Sequence, residues 1–193
     1  MVRPYRDKLS GKVEVDETYV GGEKPGKRGR GALGKSLVMI TAEIDGNRIG
    51  RIRLRHVPDA SAESLEEASP ASRCPGQNGL YHGWKGYCGL NSLGYTHEVV
   101  RHTEEVGDKL LPYCHRVAAL LKRWMEGMHQ GAISHEHLDY YLDEYTFRFN
   151  RRTSRYRGKL FYRLLQQAIV VDPVSYSFLI KHSRGLKSRD NYM

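Results

Sequence analysis

An aspartate near the start of the chain lies in a segment with the pattern of a strand. Residues 13–22 alternate apolar and polar side chains and end in two glycines, as expected for a half-buried strand. The alternation places Glu14 and Asp16 on one face and Val13 and Val15 on the other. Carboxylate oxygens are the ligands that Mg²⁺ prefers, so this pattern predicts a metal-binding aspartate at Asp16. An exposed charge on a sheet face is the alternative.

A second candidate for metal chemistry lies in residues 113–127, whose apolar side chains recur at helical spacing. His115 and Lys122 are seven residues apart, which is close to two helical turns and therefore one face of a helix. An imidazole followed by a cation at that spacing suits a metal ligand beside a phosphate contact. A basic amphipathic helix with a histidine near its start is the alternative.

Basic side chains are concentrated in segments that suit contact with nucleic acid. Residues 23–35 form a loop of Gly, Lys and Arg, which favours phosphate contact, with a solvated hairpin tip as the alternative. Residues 147–152 interleave Phe with Arg, a pattern that can follow a DNA backbone and stack bases. Alternatively, this is a helix end with core Phe and solvated Arg. The predicted DNA contacts are Lys27, Arg28, Arg30, Arg123, Arg148, Arg151 and Arg152.

The composition favours a polyanionic partner. Lys and Arg total 31 against 22 Asp and Glu, a formal net charge of +9, which favours nucleic acid. No apolar run has the length of a membrane span, and the first residues lack the apolar core of a signal peptide. Three cysteines without a Cys-x-x-Cys pair disfavour a zinc ribbon or a disulfide framework. We therefore expect a cytoplasmic protein with no membrane partner.

The strand signals predict a mixed sheet. Residues 37–44 and 48–57 flank Asp45-Gly46-Asn47, a strong hairpin signal, and with residues 13–22 they form an antiparallel meander of three strands. Further short strands are predicted around residues 80–81 and 95–100. A helix over residues 62–68, capped by Asp59 or Ser61, comes before them. The predicted class is α/β, with crossover strands added to the meander and helices on the sheet faces.

The second half of the chain is predicted to be helical. Besides residues 113–127, helical periodicity covers residues 134–149 and 158–170. The predicted organisation is a lead-in over residues 1–11 and one domain over residues 12–170. A C-terminal extension follows over residues 171–193, ending in a basic, disordered tail.

Several short motifs occur in an order and at a spacing that resemble the ISXO2-like transposase domain of bacterial insertion sequences, a DDE-type, RNase H-like family. The resemblance covers roughly residues 8–170. The motifs are Val-Glu-Val-Asp-Glu-Thr-Tyr-Val-Gly-Gly at 13–22, Gly-Trp-Lys-Gly-Tyr at 83–87, Leu-Pro at 111–112 with His-Arg at 115–116, Leu-Leu-Lys-Arg-Trp at 120–124, His-Gln-Gly-Ala at 129–132, Tyr-Leu-Asp-Glu at 141–144, Phe-Arg-Phe-Asn-Arg-Arg at 147–152 and Leu-Phe-Tyr-Arg-Leu-Leu at 160–165.

The resemblance implies an RNase H-like fold and a role for particular residues. Asp16 matches the first catalytic aspartate, His115 the variable third position, and Lys122 the basic residue that follows it. The second aspartate normally comes directly before Gly-Trp, where this chain has His82. The implied catalytic residues are therefore Asp16, His82, His115 and Lys122, with Asp16, His82 and His115 as metal ligands. The implied activity is DNA strand cleavage and transfer with Mg²⁺ or Mn²⁺, by a homo-oligomer assembled on DNA.

The chain departs from the family pattern at His82. Imidazole suits Zn²⁺, Mn²⁺ or Co²⁺ better than Mg²⁺, so the sequence predicts severely weakened Mg²⁺-dependent strand transfer and a catalytically degraded copy. Because the chain begins shortly before the strand of Asp16, we also expect an N-terminal truncation and DNA binding without specific recognition of element ends. One alternative is a non-catalytic DNA-binding remnant that interferes with active relatives. Another is a metal-dependent nuclease that cuts DNA without joining ends.

Overall fold

The computed structural model of the 193-residue chain describes residues 7–21, 35–61, 63–64, 78–82, 96–100, 110–130 and 135–181. For residues 78–79, 81–82, 96–100 and 180–181 the description covers the backbone only. The predicted basic loop at 23–35 falls almost entirely outside these ranges, as does the predicted tail beyond residue 181.

Three antiparallel strands form the first part of the sheet. They are β1 (Val13–Val20), β2 (Ser36–Asp45) and β3 (Arg48–Val57). The turn between β2 and β3 contains Gly46 at a φ of 58°, a left-handed conformation that glycine adopts without strain. The predicted three-strand meander and the α/β class are confirmed, although β1 ends two residues earlier than the sequence pattern indicates.

Two short strands extend the sheet on the other side of β1. They are β4 (Asn78–His82) and β5 (Thr96–Val100), and β4 is parallel to both β1 and β5. The strand order is β3-β2-β1-β4-β5. Strand β1 is therefore central, and a side chain on it is held by paired backbone on both sides.

Among the described residues, four α-helices and one short 3₁₀ helix follow the sheet. They are α1 (Pro112–His129), the 3₁₀ helix (His135–His137), α2 (Leu138–Phe149), α3 (Gly158–Ala168) and α4 (Tyr176–Lys181). The helical second half is confirmed, with α1 longer and α3 shorter than predicted. Helix α4 lies within the predicted C-terminal extension and was not predicted as a helix. Of the predicted helix at residues 62–68, the described residues Glu63 and Ser64 are helical.

The two faces of the sheet cover two separate clusters of buried side chains. The cluster between the sheet and helices α1 and α2 contains Val20, Val38, Ile40, Ala42, Ile52, Leu54, Leu111, Cys114, Val117, Leu121, Met125, Leu138, Leu142, Tyr145 and Phe149. The opposite cluster contains Leu9, Val13, Val15, Leu37, Met39 and Val57. Strand alternation thus directs Val13 and Val15 away from α1, so Glu14 and Asp16 face that helix.

The end of α2 closes the edge of β3. The side chain of Asn150 accepts a hydrogen bond from the Ile52 amide at 2.7 Å and donates one to the Ile52 carbonyl at 3.0 Å, as a neighbouring strand would. Arg152 donates to the carbonyls of Gly50 at 3.2 Å and Phe149 at 2.9 Å, and also to that of Ile49. This stretch of the Phe-Arg motif therefore has a structural role, because it protects an edge that would otherwise be open to strand addition.

Replacing Asn150 with alanine is expected to lower the free energy of unfolding by about 2 kcal/mol, because two backbone groups of β3 lose their partner. Urea-induced unfolding of the purified protein measures the change. The matched control is Arg148→Ala, which removes an exposed i,i+4 ion pair with Glu144 and should cost about 0.5 kcal/mol or less. Equal losses in the two variants would contradict the role given to Asn150.

Candidate active site

A carboxylate and an imidazole meet where β1 passes beneath the first turn of α1. The Oδ2 atom of Asp16 lies 3.4 Å from the Nε2 atom of His115. The Asp16 side chain is 19% exposed and that of His115 is 50% exposed, so the pair is at the surface and accessible to a ligand. The structure thus brings together two of the residues that the sequence pattern marks as metal ligands.

Glu14 holds the helix that carries His115. Its Oε2 atom accepts a hydrogen bond from the Cys114 amide at 2.8 Å, and only 2% of the residue is exposed. Helix α1 has no side-chain cap from Leu111 and no acidic residue in its first turn. Glu14 therefore occupies the position of a helix cap, because it accepts from an amide of the first turn and places a carboxylate at the positive end of the helix dipole.

The surroundings of Glu14 also set its ionisation. Burial is the largest influence and raises the pKa of Glu14, as does the negative charge of Asp16. Hydrogen bonds from the amides of Cys114 and Tyr113 act in the opposite direction. The carboxylate thus serves as an acceptor for the amides of the first turn of the helix.

The thiol of Cys114 fills the space between α1 and the sheet. It is fully buried and lies 3.7 Å from the Ile40 carbonyl. Burial, together with the charges of Glu14 and Asp16, raises the pKa of Cys114 well above its ordinary value. This cysteine is therefore a neutral packing residue.

The backbone of His82 lies next to that of Asp16. Strand β4 pairs with β1 so that Tyr81 is opposite Val15, and the next residues along the two strands are His82 and Asp16. His82 is the C-terminal residue of β4. Its side chain lies outside the described part of the structure, so its role as a ligand stays a prediction.

The predicted DNA contacts lie in different surroundings. Lys122 and Arg123 are exposed on α1, with Lys122 about 10 Å along the helix axis from His115. Arg148 is paired with Glu144, and the guanidinium of Arg151 lies 4.0 Å from the Phe147 ring centroid. Arg152 is bonded to backbone carbonyls, as described above. Lys27, Arg28 and Arg30 fall outside the described residues.

Comparison with known proteins gives a family for this arrangement. The model of the ISXO2-like transposase domain matches residues 8–150. The chain belongs to that family. This confirms the family that the sequence motifs indicate, and the match contains Asp16, His82, His115 and Lys122. It ends at Asn150, so α3 and α4 lie beyond it.

The chain was also compared with curated proteins and with solved structures. No curated protein matches the chain significantly. Among solved structures, a chain from the "CryoEM structure of simian T-cell lymphotropic virus intasome in complex with PP2A regulatory subunit B56 gamma" is similar with a TM-score of 0.47 and 11% identity. The similarity covers 77% of this chain and 52% of the viral one, so it spans about half of that chain.

Transposases of this DDE type generally use a divalent metal, so the side chains of the site are compared with the ligands that such a metal prefers. Among the described side chains, no three His, Cys, Asp or Glu residues are grouped as metal ligands. Asp16 and His115 fit as two ligands, one oxygen and one nitrogen donor, a mixture that suits Mn²⁺ or Zn²⁺ better than Mg²⁺. The register puts the backbone of His82 beside that of Asp16, which makes His82 a candidate third ligand by position alone.

Sequence reasoning missed the role of Glu14, because strand alternation places it on the face of Asp16 but does not indicate that it binds a helix amide. A signal was present, since a helix that begins at Leu-Pro has no capping side chain of its own.

Within the described residues, no helix is both long enough and apolar enough to cross a membrane.

Proposed function

We propose that this ISXO2-like transposase domain carries out DNA strand cleavage and transfer by metal-assisted phosphodiester chemistry, with an active site centred on Asp16. The observation that carries the proposal is the Asp16–His115 pair, 3.4 Å apart on the central strand and the first turn of α1. These residues are far apart in the sequence, and they coincide with two catalytic positions of the family.

The strand order supports the finer assignment of an RNase H-like fold. Order β3-β2-β1-β4-β5, with an antiparallel meander and two parallel strands, is the arrangement expected for that class. It puts β1 at the centre and the end of β4 beside it. The first aspartate and the residue at the second catalytic position, Asp16 and His82, are thereby neighbours in the sheet.

The proposed roles follow from the chemistry of each side chain. Asp16 would bind a divalent metal through its carboxylate, with His115 and His82 as imidazole ligands. When bound, such a metal stabilises charge on a phosphate and activates the attacking hydroxyl or water. Lys122 would contact a phosphate farther along α1, since it is exposed two turns beyond His115. Arg123 would extend that contact.

The ligand set leads us to propose that Mg²⁺-dependent activity is weak in this copy. Two Mg²⁺ ions beside a phosphate require carboxylates to offset their charge. Two of the three family positions here are histidines, His82 and His115. Mn²⁺ accepts imidazole more readily than Mg²⁺, so we expect Mn²⁺ to support more cleavage than Mg²⁺.

DNA is the proposed partner, and the net charge of +9 is the main support. Exposed cations such as Lys122 and Arg123 are available for phosphate contacts that release counterions, so binding should weaken steeply with added salt. Little sequence preference is expected, because phosphate contacts do not distinguish bases. Salt-independent binding, or strong preference for one sequence, would count against this assignment.

A second candidate function is favoured by the same two histidines. A domain that keeps the fold and the basic surface but binds metal poorly would act as a non-catalytic DNA-binding remnant. It could interfere with active relatives by joining their assemblies. Metal-dependent cleavage separates the two functions, because the remnant would bind DNA and leave it intact.

The test is a cleavage and strand-transfer assay on the full chain with Mg²⁺ or Mn²⁺. We expect Mn²⁺-dependent cleavage that Asp16→Asn reduces by about 100-fold or more, in line with the loss of a charged metal ligand. Glu126→Gln, which removes one exposed carboxylate from α1, is the matched control and should retain full activity. DNA binding without cleavage under either metal would favour the remnant, and neither binding nor cleavage would reject both functions.

A further inference from the structure

The part of the chain between Glu144 and Asp172 is strongly basic. It contains seven Lys or Arg residues and no Asp or Glu, and it comprises the end of α2, a connector over residues 150–157 and helix α3. A run of like charges is ordinarily a solvated surface, so these cations alone do not identify a ligand. The second observation is that aromatic side chains are exposed beside them.

Two tyrosines and two cations share one face at the start of α3. The Lys159 amide donates a hydrogen bond to the Tyr156 carbonyl at 3.0 Å, so the first helical turn already includes Tyr156. Residues three and four positions apart lie on one side of a helix. The tyrosines are 66% and 60% exposed, and both cations are exposed. We call these four residues, Tyr156, Lys159, Tyr162 and Arg163, the α3 basic face.

The positive charge of the α3 basic face is not neutralised by the protein. The Lys159 ammonium lies 4.7 Å from the Tyr156 ring centroid, and Arg163 donates to the neutral amide oxygen of Gln166 at 3.2 Å. Among the described residues, no carboxylate contacts either cation. Lys159 is also in the first turn of α3, where a cation is unfavourable to the helix. Folding therefore does not account for these charges.

The α3 basic face lies on a segment that begins near the candidate active site. Asn150, at the start of the connector, is hydrogen-bonded to Ile52 of β3. Ile52 pairs with Ala42 of β2, and Ala42 pairs with Glu14 of β1. The connector therefore begins at a strand two places from β1, which is about 10 Å across the sheet. DNA bound at Asp16 has to extend only a few nucleotides to reach the connector.

We propose that the α3 basic face binds an unpaired segment of DNA. One base stacks on the side of the Tyr156 ring opposite Lys159, and the adjoining phosphates contact Lys159 and Arg163. Exposed rings beside cations suit single strands, because bases inside a duplex have no free face for stacking. The inference rests on the proposed function, since strand cleavage creates ends that can unpair. The surface lies beyond the family match, which ends at Asn150.

Fluorescence anisotropy of the full chain with a DNA single strand of about 20 nucleotides, and with the matching duplex, tests the proposal. Tyr156→Ala should raise the single-strand Kd about 10-fold, as for the loss of one stacked base, and should leave the duplex Kd within about twofold. Tyr156→Phe keeps the ring and should keep both Kd values. The matched control is Phe161→Ala, which removes a 71% exposed ring from the opposite side of α3 and should change neither Kd.

Two further measurements locate the contact. Lys159→Gln should reduce the salt slope of single-strand binding by about 0.7, the value for one phosphate, and an iodouracil-substituted strand should crosslink to Tyr156 on irradiation. Equal losses in Tyr156→Ala and Phe161→Ala, or equal losses for single strand and duplex, overturn the proposal. So does a wild type that does not bind the single strand. Asp16→Asn should lose cleavage but keep the single-strand Kd, which separates this inference from the catalytic function.

Discussion

Replacing His82 with aspartate is expected to raise the rate of Mg²⁺-dependent DNA cleavage by about 100-fold, which corresponds to about 2.7 kcal/mol of transition-state stabilisation. The backbone of His82 lies beside that of Asp16 in the sheet. A carboxylate there would return a negative oxygen ligand to a position that now has an imidazole. Mg²⁺ binds carboxylate oxygen in preference to nitrogen, so the gain should be larger with Mg²⁺ than with Mn²⁺.

Parallel assays of the wild type, His82→Asp and His82→Asn measure this effect. Asparagine has nearly the shape of aspartate but no charge, so His82→Asn should not restore Mg²⁺-dependent cleavage. Equal, robust rates with Mg²⁺ in the wild type and His82→Asp would show that the histidine does not limit the reaction. A gain in His82→Asn equal to that in His82→Asp would attribute the effect to shape alone.

Replacing Glu14 with alanine is expected to lower the free energy of unfolding by about 2 kcal/mol, because the buried Cys114 amide loses its acceptor. The same change frees the first turn of α1, on which His115 faces Asp16. Mn²⁺ affinity should therefore fall by about 10-fold, as for other groups that orient metal ligands. Urea-induced unfolding and calorimetric Mn²⁺ titration measure the two effects separately.

Glu14→Gln is the matched control because its amide oxygen still accepts the hydrogen bond. It should keep Mn²⁺ affinity within about threefold of the wild type and stability within about 1 kcal/mol. A loss of stability in Glu14→Ala without any loss of Mn²⁺ affinity would show that Glu14 supports the fold but does not position the site. Equal Mn²⁺ affinities in all three proteins would have the same meaning.

The pH dependence of stability provides an independent check on Glu14. Burial raises the pKa of Glu14 in the folded protein, so the folded state holds this proton more tightly than the unfolded state. The free energy of unfolding should therefore fall as pH rises from the ordinary glutamate pKa through the raised pKa. Glu14→Gln has no proton to lose there and should lack that fall. Unfolding curves from pH 4 to pH 7 that stay parallel for the two proteins would contradict the raised pKa.

The sequence by itself determined the local elements of this protein. Each of three patterns describes a short-range preference of the backbone and its neighbours. They are the alternation at Val13–Val20, the Asp45-Gly46-Asn47 turn and the helical spacing of Val117, Leu121 and Trp124. The family was also readable, because its motifs keep their order along the chain. Element ends were less certain, as the shift at the end of β1 illustrates, since terminal pairing depends on partners distant in sequence.

Only the tertiary structure decided which polar side chains meet. Asp16 and His115 are 99 residues apart in the chain, yet they lie 3.4 Å from each other. Glu14 shares a strand face with Asp16 but accepts a hydrogen bond from an amide of α1. Asn150, at the end of α2, binds the backbone of the edge strand β3. Local periodicity does not encode such pairings. They depend on how the strands and helices pack to bury their apolar side chains, and on which backbone groups then lack a hydrogen-bond partner. Strand alternation placed Glu14 and Asp16 on one face of β1. Packing of α1 against that face then gave Glu14 a helix amide and Asp16 the His115 imidazole as partners.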